Sequence, residues 1–182
     1  MVRLATLTDA DAEPTARWRE AARANLRTPY VRTVEEQREF IRTLPAHRHE
    51  YRYWAVQVTR SGVKLTIPYA YTETVGIAGL SPIQWENGIA EVSLVLDPAC
   101  MGKGYGGQAF ALLLAEAFDT LRLHQVVAQV YTLNPALGFW RKMAERYGNG
   151  KAIVMPHQKF WKGQYHDAEY FSFSACREGE KA

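Results

Sequence analysis

The chain predicts a mixed α/β domain of the α+β type: a mostly antiparallel sheet of about six to seven strands flanked by about four helices. Three observations predict it. Ala90, Val92, Leu94 and Leu96 alternate with Glu91, Ser93 and Val95, which is the period-2 pattern of a strand with one face buried. Asn87-Gly88 separates two β-rich arms, a signature of a type I′ hairpin and therefore of antiparallel pairing. Several helix-length segments begin with capping residues. With 182 residues, 47% hydrophobic and 23% charged, the whole of residues 1–182 is expected to form one domain with a full-sized core.

Each element follows in order. Residues 2–7 alternate and predict a first strand. Thr8-Asp9 offers cap chemistry for a helix reaching about Leu26, and Thr28-Pro29 breaks it. Thr33 and Glu36 have capping-box spacing, so a second helix is expected over 33–44, ended by Pro45. Residues 51–59 are aromatic and β-branched and predict a strand, with Ser61-Gly62 as the following turn. Residues 63–67 suit a hairpin arm, and 74–85 and 89–96 predict two further strands. Residues 104–123 are dense in Ala, Leu and Phe and predict a helix, followed by a short buried strand over 125–131. Asn134-Pro135 matches an N-cap with proline at the first helical position, and Gly148-Asn149-Gly150 ends that helix. Two late strands, over 152–161 and 168–175, close the chain.

Composition excludes several classes. A net charge of +3 from dispersed basic residues does not indicate a nucleic-acid partner. No apolar run approaches the length of a membrane span, and residues 1–10 carry no apolar signal core. The two cysteines, Cys100 and Cys176, have no metal-type spacing, so no metal is expected and a reducing, cytoplasmic location is the default.

Chemistry concentrates in Met101-Gly102-Lys103-Gly104-Tyr105-Gly106-Gly107, which follows a strand and opens a helix. Glycines allow close backbone approach to a ligand. A helix start leaves amides unpaired and adds positive potential, so the segment predicts a phosphate site, with Lys103 as an additional charge. Gly102, Gly104 and Gly107 also spell the dinucleotide fingerprint. That reading needs a parallel βαβ unit and an acid about 20 residues on, whereas residues 124–134 contain no acid. A P-loop needs Gly-Lys-Ser/Thr, and here Lys103 precedes Gly104.

In these residues the sequence resembles the GNAT N-acetyltransferase superfamily. The resemblance spans residues 75–173, and runs through Ala90 to Pro98, the glycine turn, Asn134-Pro135-Ala136-Leu137 with Trp140-Arg141-Lys142-Met143, and Gly163-Gln164-Tyr165-His166-Asp167-Ala168. The last piece is similar to a tail in the branch of ribosomal-protein, polyamine and amino-sugar acetyltransferases. The resemblance implies acetyl-CoA as co-substrate and an acetyl transfer to a primary amine, either a small molecule or a protein N-terminus. It implies that the backbone near Leu94, Val95 and Leu96 receives the pantetheine arm as an added strand. The amides of Met101, Gly102, Lys103, Gly104, Tyr105, Gly106 and Gly107 would hold the pyrophosphate, and Asn134 would lie near the pantetheine or the thioester, beside its helix-capping role. A homodimer is compatible with the family. Two departures stand out. Met101 occupies a position where the family usually carries Arg or Gln, and Trp140 aligns with a tyrosine that protonates the leaving thiolate. An indole N–H donates hydrogen bonds but is no acid at neutral pH. A leaving thiol with a pKa of roughly 8.5 needs little protonation. These departures also define the alternative, a non-catalytic acyl-CoA-binding module.

Amine attack on a thioester requires deprotonation, alignment and an oxyanion donor. The backbone N–H of Leu94 or Val95 is the natural donor. Glu91, on the polar face of the same strand, is read as base or ammonium anchor, against a plain solvent-facing carboxylate. Tyr131, ending the next strand, is an acid, an acceptor contact or packing. Tyr105 suits packing at the helix cap. His166 and Asp167 are adjacent on a strand and point to opposite faces, so they suit a turn and strand start better than a triad. His47 and His49 are expected in solvent. The acceptor side would come from the first two helices and the late hairpin, a region that holds Trp18, Arg23, Tyr30, Arg32 and Glu35; these suit a polar amine, packing and a solvated face equally, and spell no acceptor signature.

Overall fold

The computed structural model describes residues 1–64 and 67–175; Cys176 lies outside the described residues. Among them one seven-stranded sheet is formed by β1 (Val2–Ala5), β2 (Arg52–Lys64), β3 (Ile67–Gln84), β4 (Ile89–Leu96), β5 (Gln125–Tyr131), β6 (Ile153–Trp161) and β7 (Gln164–Ser174). The spatial order is β1-β2-β3-β4-β5-β7-β6. Every pairing is antiparallel except β4 with β5. Four α-helices accompany the sheet among the described residues: α1 (Ala12–Ala21), α2 (Val34–Thr43), α3 (Tyr105–Ala115) and α4 (Leu137–Tyr147). The predicted class is the observed one.

Alternation along β4 divides the core in two. Ala90 and Val92 pack with Phe110, Leu113 and Trp140 of α3 and α4, and Leu94 and Leu96 lean on the same cluster. Val95 goes to the opposite face with Leu7, Trp18, Ile41 and Ile77, under α1 and α2. Phe110 anchors the first cluster, edge-on to Phe173, Trp140 and Tyr147 at centroid distances of 4.8, 5.4 and 6.0 Å.

Local signals survive where they agree with packing. The capping box of α2 is present, with Thr33 accepting from Glu36 N–H and the Glu36 carboxylate accepting from Thr33 N–H. Other expectations are corrected. Ser61-Gly62 is not a turn: β2 runs through it to Lys64, with Ser61 opposite Ala70 and Gly62 opposite Tyr69. Continuous pairing with β3 overrides the local turn preference. The Asn87-Gly88 hairpin is not a two-residue type I′ turn. Gln84 pairs with Ile89 around a four-residue loop, and of Asn87 and Gly88 only Gly88 has a positive φ, 63°.

The first helix is shorter than expected. A 3₁₀ turn over Asp9–Asp11 precedes α1, and another over Arg23–Asn25 follows it. The helix after the glycine turn ends α-helical geometry at Ala115, and its last turn widens until Leu121 N–H bonds Glu116 C=O. The α4 ladder starts at Leu137, because Asn134 caps through an Asx turn that accepts from Ala136 N–H at 2.9 Å. The last reversal falls on Lys162-Gly163, both with positive φ, rather than at His166-Asp167. His166 pairs opposite Lys159 inside the hairpin, and Asp167 accepts from His157 N–H.

Gln37 of α2 is fully buried, and neither amide atom finds a partner among the described residues. Desolvating an unpaired amide is costly. Gln37→Met, similar in volume, is expected to raise unfolding stability by about 1–3 kcal/mol in urea titration. A stability loss would show that the amide is satisfied by bound water.

Candidate active site

The site begins where the two parallel strands part. β4 pairs β5 only through Ile89, Ala90 and Glu91, opposite Gln125, Val126 and Val127. Beyond this fork β4 continues along β3 to Leu96, while β5 continues along β7 to Tyr131. Asp97 N–H donates to Val75 C=O at 2.8 Å. Main-chain groups alternate in direction along a strand, so those of Val95 face β3 and those of Leu94 and Leu96 face the opening. Of the two expected oxyanion donors, Leu94 is therefore the one whose N–H faces the opening.

A cleft of about 260 Å³ occupies the fork. It brings together Glu91, Leu94, Val95, Tyr131, Asn134 and Trp140 from the expected set. Leu96 and residues 101–107 do not line it. They continue it at the surface, since Gly106 sits so close to Leu96 that a Cβ there would lie 3.3 Å from Leu96 Cδ1.

In the glycine turn Gly102 and Gly104 have φ of 74° and 78°, with open space around the position of a Cβ at Gly102. The first helical bond runs from Gln108 N–H to Gly104 C=O, which leaves the amides of Tyr105, Gly106 and Gly107 ahead of the ladder. No backbone bond among the described residues takes the amides of Gly102, Lys103 or Gly104. The Met101 amide is bonded to Pro98 C=O at 3.3 Å, and the Met101 side chain is exposed. Lys103 is exposed and tied back to Ala99 C=O at 2.8 Å. Tyr105 packs on the core and lies beneath the Arg60 guanidinium, 5.9 Å from its centroid.

Glu91 is half-buried and is not a free carboxylate. Arg27, in the segment after α1, donates to its Oε2 and also to Gln129 Oε1 at 2.9 Å. One guanidinium thus spans the fork from β4 to β5. Glu91 Oε1 has no hydrogen-bond partner among the described residues. Tyr131 is buried beside Arg27. Burial pushes its phenol above the ordinary value and Arg27 draws it partway back, so the hydroxyl keeps its proton at neutral pH. Asn134 is both cap and cleft residue: its Oδ1 is engaged by Ala136, which leaves its amide NH₂ as the donor group. Trp140 is mainly core, edge-on to Phe110 and Phe139, with one side on the cleft.

The polar and aromatic residues of the acceptor region disperse. Trp18 is core, Tyr30 is exposed, Glu35 pairs with Arg38, and Arg23 lies over Trp161. Only Arg32 lines the cleft. His47 is only partly exposed, stacked on Tyr51 and bonded to Glu50, while His49 is exposed and its C=O accepts from Trp85 Nε1. Sequence reasoning missed Arg19, Arg27 and Gln129. Gln129 shares the face of Tyr131 two residues away, a signal that alternation offered. Arg27 lies 64 positions from Glu91 and carried none.

A family model described as an acetyltransferase (GNAT) domain matches residues 2–148. No curated protein matches at the sequence level. Similar solved structures include RimL, a ribosomal L7/L12 alpha-N-protein acetyltransferase in complex with coenzyme A. It has a TM-score of 0.72 at 16% identity and covers 95% of this chain and 93% of that one. Mutant forms of the spermidine/spermine N-acetyltransferase SpeG from Vibrio cholerae give 0.69 at 17% identity, covering 96% and 94%. An N-acetyltransferase from Staphylococcus aureus Mu50 gives 0.73 at 14%, covering 97% and 99%. At these identities the likeness is one of fold.

Proposed function

The chain belongs to the GNAT acetyltransferase family, and from that premise we propose that it transfers an acetyl group from acetyl-CoA to a primary amine by direct attack on the thioester. The observation that carries this reading is the fork beyond Glu91, which leaves the main chain of Leu94 and Leu96 unpaired beside a helix start with free amides.

The residues present fit the group. The positive-φ glycines and the amides of residues 102–107 suit a diphosphate, and the outward-facing groups of Leu94 and Leu96 suit the amides of a pantetheine arm. Bound there, acetyl-CoA supplies the activated acyl group. The Leu94 N–H then donates to the oxygen that gains charge during attack. Glu91 Oε1 anchors the incoming ammonium and accepts its proton directly or through water. Arg27 holds Glu91 in place and fixes the width of the fork. Tyr131 keeps its proton and donates a hydrogen bond, while the indole of Trp140 shields the cleft without serving as an acid.

The test is thiol release from acetyl-CoA with a broad panel of primary amines. Release with at least one amine is expected. Glu91→Gln should lower turnover by about 100-fold while leaving CoA affinity within about twofold. Equal activity in that variant would remove Glu91 from the mechanism. CoA binding without thiol release across the panel would favour a binding module.

A further inference from the structure

The charges around the cleft are unbalanced. Its lining carries three arginines, Arg19, Arg27 and Arg32, against one carboxylate, Glu91. Arg27 and Glu91 neutralise each other. Arg19 and Arg32 are half-buried, and neither has a carboxylate within ion-pair distance among the described residues. Glu36 feels the charge of Arg32, but its carboxylate is engaged in capping α2. The Arg32 guanidinium lies 5.1 Å from the centre of the Phe40 ring, which supports its face and leaves its N–H edge for a ligand. The Arg19 guanidinium is held below its ordinary range, first by burial and then by the charge of Arg32. Further positive charge stands close by: Lys159 is buried, donates to Leu26 C=O at 2.5 Å, and lies 5.3 Å from the Tyr131 ring centre.

Two half-buried guanidiniums lining one cleft repel unless an anion joins them, and their planar donor sets match carboxylate or phosphate oxygens. Glu91 Oε1, which Arg27 does not engage, remains as a hydrogen-bond acceptor for an ammonium within the same cleft. We infer that the acceptor carries an anionic group near its amine, with the anion received by Arg19 and Arg32 and the amine directed to Glu91. This rests on the acetyl-transfer reading and narrows it. A polyamine, bearing several ammonium groups, meets repulsion there.

Calorimetric titration of the full chain, with and without CoA, separates the possibilities. One matched pair is a dipeptide amide bearing an Asp side chain and its Asn counterpart. A second is glucosamine 6-phosphate and glucosamine, and spermidine is the polycation. In at least one pair the charged member should bind at least about 10-fold more tightly than the neutral one, and the pair that shows it distinguishes carboxylate from phosphate. Arg19→Gln and Arg32→Gln should each reduce that ratio to below about threefold, with Arg32→Lys keeping part of it and CoA affinity reporting correct folding. Equal binding within both pairs would overturn the inference. So would a preference that persists in both variants, or spermidine binding above all others. Selective binding without thiol release would support the arginine site and overturn acetyl transfer alone.

Discussion

Gly104→Asp is expected to weaken CoA binding by at least about 100-fold, about 2.7 kcal/mol. Gly104 precedes α3 with φ of 78°, in the left-handed region where glycine is unstrained. Around its absent Cβ the space is nearly open, with Gln108 Nε2 at 4.0 Å as the only neighbour, so the loss comes from charge rather than collision. A carboxylate would stand among the amides that we assign to a diphosphate. Gly104→Asn separates the causes. Asparagine tolerates the left-handed region, is isosteric with aspartate and is uncharged, so its CoA affinity should fall by less than about 10-fold. Equal losses in the two variants would mean that backbone geometry, not anion binding, is the role of this residue. Isothermal titration with CoA reads both.

Arg27→Ala is the second large effect. It removes the bond to Glu91 and the bond to Gln129 together, freeing both walls of the fork. Misplacing an anchor by about an ångström costs about 100-fold in rate, so kcat/KM for the amine should fall by at least that factor. CoA affinity should change by less than about threefold, because the glycine turn is untouched. Arg27→Lys keeps the charge but puts an ammonium on a shorter, more flexible stem where one guanidinium nitrogen meets both oxygens, and should recover only part of the rate. Unchanged kcat/KM in Arg27→Ala would make the Arg27–Glu91 pair a surface ion pair of little consequence, and such pairs are common.

The two variants bracket what the sequence discloses. The conformation of Gly104 was legible because it is local: a glycine at positive φ before a helix announces itself in a few residues. The same holds for the Thr33–Glu36 box, the alternation of β4 and the limits of β5, each a pattern of neighbours. Local reading failed where sheet pairing decided the outcome. Ser61-Gly62 carries turn chemistry, yet pairing along the 13 residues of β2 draws it into the strand. Leu94 and Val95 were indistinguishable as donors until the register with Val75 and Ile77 fixed which amide faces outward. Arg27 was invisible because its partner is distant in sequence. The acceptor side was not legible for the same reason: whether Trp18 or Arg32 reaches the cleft depends on how α1 and α2 sit on the sheet. The loop that would bind the cofactor is written in sequence-local terms, and the side of the cleft that would select the amine is not.

The central claim is that free amides on the glycine turn and on the outer edge of β4 receive CoA together. Amide hydrogen exchange, resolved residue by residue with and without CoA, tests it most directly. Protection should rise at the amides of Gly102 to Gly107 and at Leu94 and Leu96, while Val95, already turned toward β3, gains little. Unchanged exchange at the glycine turn and at Leu94 in CoA-saturated protein would contradict the account.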